Sequence, residues 1–80
     1  MGDYNKNFMG KQKGVLVQVT PVDIHGSKFY DIFFTVDSST AGPRGSRIGQ
    51  ESVYPDPQPG DEVILHLVLG QLTKVEKRVL

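Results

Sequence analysis

The chain carries ten valines against a single alanine, and no other feature narrows its fold so far. Branching at Cβ restricts rotamers in a helix and suits the pleated surface of a sheet. Val, Ile and Thr together make up 18 of the 80 residues. Nine glycines and five prolines cut the chain into pieces, few of which reach the ~10–12 residues of an ordinary helix. Most of the longer pieces alternate in polarity instead of repeating every three or four positions. The predicted fold class is therefore all-β. Leu, Ile, Val and Phe supply 24 residues, too many for a disordered polypeptide, and so short a chain seals only one core.

Residues 1–13 show no periodic apolar face and set Asp3 against Lys6, Lys11 and Lys13, which predicts a flexible, disordered basic leader ahead of a single domain over 14–80. The first strand is expected from Val15 to about Pro21–Asp23, with Val15, Val17 and Val19 on one face and Gln18 and Thr20 on the other. Ile24–Ser27 reads as a turn in which Gly26 supplies a positive φ.

The second strand, Lys28–Asp37, has two unlike faces. Tyr30, Ile32, Phe34 and Val36 form an unbroken apolar face for the core, while Phe29, Asp31, Phe33, Thr35 and Asp37 form a mixed one. Asp31 keeps the mixed face wet, since an unpaired carboxylate is costly to bury. Ser38–Gly49 reads as a long loop or a hairpin with a floppy tip, followed by a short third strand near Arg47–Tyr54. Pro55, Pro57 and Pro59 then forbid helix and central-strand pairing. Glu62–Leu69 is nearly all apolar, as in a strand covered on both sides or a barrel stave.

The end of the chain allows two readings. A hairpin with a three-residue loop or a bulge would set Leu67 opposite Val75 and Val63 opposite Val79, with His66 beside Glu76. A helix would use Thr73–Glu76 as a capping box and the spacing of Leu72, Val75 and Val79. The strand is favoured, because so short a helix has little independent stability and a further strand covers an open edge.

Five short strands fall below the roughly seven of an immunoglobulin-type sandwich. The layout of Gly14-Val15-x-Val17-x-Val19, an aromatic second strand, a glycine-rich loop, then Pro59-Gly60-Asp61-Glu62-Val63 and a closing hairpin resembles small five-stranded barrels of the OB-like or SH3-like kind. That resemblance spans about 14–80. It implies a small barrel and leaves the two topologies open, because no clear helix separates strands three and four.

The chain has no Gly-x-Ser-x-Gly elbow, Walker loop, dinucleotide fingerprint or His-Glu-x-x-His. It has no cysteine, hence no disulfide, thiol chemistry or Cys-ligated zinc, and its two histidines, His25 and His66, stand 41 positions apart. No catalytic residue, metal or small-molecule cofactor is expected, and the protein reads as a non-catalytic binding module. No apolar run approaches the ~20 residues of a membrane span, and the start lacks a secretory signal. The expectation is a soluble cytoplasmic protein.

Nine basic and nine acidic side chains cancel, but they are segregated: residues 41–50 carry +2 and residues 51–62 carry −4. Single-stranded nucleic acid is bound by aromatic faces beside basic groups that track phosphates. Phe29 and Phe33, flanked by Lys28, with Arg44 and Arg47 on the adjoining loop, form the candidate site for single-stranded DNA or RNA. The alternative is a protein–protein interaction or homodimerising module, in which the Val63–Leu69 strand or the two rings meet a partner or a second copy. The stretch Pro55-Pro57-Pro59 reads as a stiff spacer or a polyproline ligand.

Overall fold

A computed structural model describes residues 10–79 as five antiparallel strands in one sheet. They are β1 (Gly10–Ile24), β2 (Ser27–Val36), β3 (Arg44–Gly49), β4 (Glu62–Val68) and β5 (Gln71–Lys77), with a 3-10 turn at Gln50–Ser52. The order across the sheet is β3-β2-β1-β4-β5. No helix is long and apolar enough to cross a membrane, among the described residues.

The 15-residue β1 organises everything else. Its first part, Gly10–Val15, pairs with β4, and Gly14–Ile24 pairs with β2, so only Gly14 and Val15 have Cα partners on both sides. Gly14 is closely packed at this crossover and has no room for a side chain. A Cβ on it would run into the Thr35 carbonyl oxygen and lie 2.6 Å from Leu65 Cδ1. The pairing corrects the leader: Gly10–Lys13, assigned to it, are strand residues bonded to β4. The rest of the leader, residues 1–9, lies outside the described residues.

A one-residue bulge corrects the faces of the first strand. Leu16 pairs with Phe34 and Gln18 with Phe33, leaving Val17 as the extra residue. Leu16 is the buried side chain, Val17 is 45% exposed, and Val19 returns to the core side as a half-buried neighbour of the cluster. An inserted residue reverses the parity of everything after it, which is why strict alternation of Val15, Val17 and Val19 misleads.

The core consists of Leu16, Ile32, Phe34, Val36, Ile48, Val63, Leu65, Leu67, Leu72 and Val75. The even residues of β2 point inward as expected, with Ile32 and Phe34 sealed and Tyr30 half-buried. β4 gives Val63, Leu65 and Leu67 to the core and leaves Ile64 and His66 half-buried on its other side, so it is not fully covered on both faces.

The third strand begins and ends earlier than the sequence suggests, since Arg44–Gly49 pairs with Phe29–Phe34 and turns at Gln50. Arg44–Ser46 read only as loop because glycine and serine lower strand propensity, yet the edge position against β2 overrides it. The C-terminal segment is a strand. Its hairpin turns at Leu69-Gly70, both with positive φ (52° and 78°), the signature of a two-residue type I′ turn. Val68 faces Gln71, Leu67 faces Leu72 and Leu65 faces Val75, with Thr73 bulged between. Leu67 therefore does not meet Val75, and Val63 faces Lys77 instead of Val79.

The edge strands β3 and β5 approach each other, but no ladder joins them. Beyond the 3-10 turn, Val53 makes a parallel bridge to Val75, and Tyr54 N–H donates to the Val75 carbonyl at 3.3 Å. The sheet is thus not closed into a barrel.

Candidate functional site

Alternation along β2 sets its odd residues on the outer face, where β1 and β3 flank them. Three cross-strand rows result: Val22–Phe29–Gly49, Thr20–Asp31–Arg47 and Gln18–Phe33–Gly45. Both aromatic rows end on a glycine of β3, but at Gly49 the Glu51 carboxylate fills the place a Cβ would take, its Oε2 2.5 Å away. Phe33 lies on Gly45, where a Cβ would come within 3.1 Å of its Cε2, and the ring is 44% exposed. Phe29 is half-buried, with Gln50 Nε2 donating to its backbone carbonyl at 3.2 Å. The rings stand four residues apart, about 13 Å along the strand.

Between them Arg47 grips Asp31 side-on. Nε donates to Oδ1 at 2.7 Å and Nη2 donates to Oδ2 at 3.0 Å. The hydrogen bonds from Arg47 hold the Asp31 carboxyl below its usual range, and Asp31 in turn raises Arg47. The pair removes the isolated negative charge that the mixed face would otherwise present, and it also engages the arginine.

The remaining sequence-predicted residues divide. Lys28, near the tip of the β1–β2 hairpin, has Nζ 3.0 Å from Asp23 Oδ2, which also accepts through Oδ1 from Gly26 N–H at 2.8 Å. Arg44 lies on the opposite face of β3 from Arg47 and stacks over the buried Phe34 ring, its guanidinium carbon 5.3 Å from the centroid. The structure therefore brings Phe29, Phe33 and Arg47 onto one surface and places Arg44 around the edge of β3.

Sequence reasoning missed two contributors. Val17, swung outward by the bulge, joins Gln18 beside Phe33. The trace of it in the sequence is the spacing of Leu16 and Val19, three apart where a regular strand keeps its core residues two apart. Gly45 is the second, and the ring resting on it carries no sequence signal.

Other polar clusters are structural in form. Tyr54 Oη donates to Asp61 Oδ2 at 2.6 Å, and Gln58 N–H donates to the same oxygen at 3.0 Å, pinning the proline segment. These bonds, Tyr54 first, hold Asp61 below its ordinary range, while burial and then the Asp61 bond push Tyr54 well above its own. His66 Nε2 lies 2.8 Å from Glu76 Oε1, as the sequence anticipates, and that contact lowers the Glu76 carboxyl, with Lys74 adding to it. Among the described residues no three His, Asp or Glu side chains converge as a metal-binding group. No protein-family model matches the chain, and no curated protein or solved structure matches it either.

Proposed function

We propose that this domain is a non-catalytic module that binds single-stranded nucleic acid across the outer face of β1, β2 and β3. The carrying observation is Phe33, 44% exposed and resting on Gly45, which puts no side chain of its own beside the ring. An aromatic ring kept out of the core on a rigid strand loses apolar burial, and a stacking partner restores it, at roughly 1–3 kcal/mol per base. Val17, Gln18 and the half-buried Phe29 extend the platform.

The connectivity supports the same reading. A long first strand shared by β2 and β4, in the order β3-β2-β1-β4-β5 with the edge strands β3 and β5 near each other and a parallel bridge at Val53–Val75, is what an OB-like barrel left open between β3 and β5 would have. In such barrels the second and third strands and the turns beside them hold oligonucleotides. An SH3-like closure accounts less well for a first strand paired on both sides.

Electrostatic help is modest, because Lys28 and Arg47 already hold carboxylates. Binding is therefore expected to be weak and led by stacking. Fluorescence titration with mixed-sequence single-stranded DNA and RNA tests it, with Phe33→Ala expected to weaken affinity by about 1–3 kcal/mol while leaving the urea midpoint nearly unchanged. Absence of binding near 50 mM salt, where phosphate contacts are strongest, would refute the proposal.

A second reading has its own observation. The exposed Val17 and Phe33, together with the apolar tip at Val68 and Leu69, also suit a protein partner or a second copy of this chain. Sedimentation at high micromolar concentration separates them: a monomer with strand-binding activity favours the first reading, and a dimer whose formation buries Phe33 favours the second.

A further inference from the structure

The seam between β3 and β5 is bridged at Val53–Val75 and open at its other end, where Arg44 starts β3 and Gln71 starts β5. A cleft of about 410 Å3 lies there. Arg44 lines it with its guanidinium over the Phe34 ring, and its Nη2 is buried without a hydrogen-bond partner among the described residues. A buried cationic N–H group left unsatisfied is destabilising, and the few found in native proteins call for an explanation.

The walls around it are chemically one-sided. Ser46 and Gln71 are polar lining residues, Gly45 and Gly70 leave space, and no carboxylate lines the cleft; Arg47 also borders it, but its guanidinium is held by Asp31 on the other face of β3. Arginine recognises oxyanions through paired N–H groups, and low exposure strengthens such charge-assisted bonds. We propose that this cleft is an oxyanion site that takes a tetrahedral phosphate at the guanidinium of Arg44, which turns to bring its unpartnered Nη2 to the ligand. The site rests on its own geometry and not on the stacking surface. Two sources share the chemistry: free phosphate, or a phosphate of a strand lying on the neighbouring face, since the hollow beside Phe33 shares Gly45, Ser46 and Arg47 with this cleft.

Inorganic phosphate titrated into the full chain, with chloride holding ionic strength constant and two-dimensional amide spectra as readout, provides the test. Saturable shifts centred on Gly45, Gly70 and Gln71 are expected, with half-saturation raised about tenfold or more in Arg44→Met. Arg44→Lys keeps the charge but lacks the paired N–H groups of a guanidinium and should also bind more weakly. If neither variant folds, the wild-type shift map decides alone. No saturable shift up to tens of millimolar, shifts centred elsewhere, or an Arg44→Met curve like that of the wild type would overturn the site. Oligonucleotides with and without a 5′-phosphate then identify the source. Competition assigns the cleft to strand phosphate, whereas none leaves free phosphate as its ligand and the stacking surface to stand or fall by its own titration.

Discussion

Gly14 sits where β1 leaves β4 for β2, and the surrounding atoms leave no place for a methyl group. The obstruction on one side is a backbone carbonyl, which cannot rotate away. Gly14→Ala is expected to destabilise the fold by about 2–3 kcal/mol, the upper range of overpacking, read as a lower urea midpoint with unchanged slope. Tyr54 makes a different kind of contribution. Its hydroxyl depresses the Asp61 carboxyl, so the bond stabilises the fold above the unfolded carboxylate value and that stability is lost as pH falls through the folded one. Tyr54→Phe should cost about 1 kcal/mol at pH 7, a charged hydrogen bond discounted for partial exposure. The difference from wild type should shrink in urea titrations run below the ordinary carboxylate range. An equal deficit at both pH values would show that lost packing dominates.

The strands show what a sequence exposes and what it conceals. β2 is legible because one ladder on each side keeps its alternation regular, and every apolar even residue from Ile32 to Val36 is buried. β1 and β5 are harder, for the same reason. A bulge at Val17 and another at Thr73 place core residues three apart, Leu16 with Val19 and Leu72 with Val75. That spacing imitates a helical turn, which is why a C-terminal helix is a credible reading of the sequence. Of the site, the paired phenylalanines follow from parity alone. The placement of Arg44 and Arg47 on opposite faces depends on a strand start at Arg44, which a loop of glycine and serine hides. The β4–β5 turn supplies a test at this scale. Leu69 adopts φ 52° at 77% exposure, a conformation unfavourable for leucine and favourable for asparagine before glycine. Leu69→Asn is expected to stabilise the domain by about 1 kcal/mol and raise Tm by about 4–8 °C, measurable by thermal melting.

Across the whole molecule the zero net charge hides an arrangement in which most cations near the stacking face are already engaged. Asp31 decides how much of Arg47 reaches a ligand. Asp31→Asn should strengthen binding of single-stranded DNA and steepen the salt dependence by about one phosphate contact, a change read directly from titrations at several salt concentrations. An unchanged slope would mean that Arg47 lies outside the path of the strand. The open seam between β3 and β5 would give the module its second feature, a cationic cleft around the corner from its aromatic platform. The measurement that bears most directly on the account is fluorescence anisotropy of a labelled mixed-sequence single strand of about 12 nucleotides, titrated at low salt with wild type and Phe33→Ala side by side. Saturable binding that weakens roughly 5- to 150-fold in the variant, with both proteins equally folded, is the predicted result. Equal curves for the two proteins, or none for either, would contradict the claim that this face receives nucleic acid.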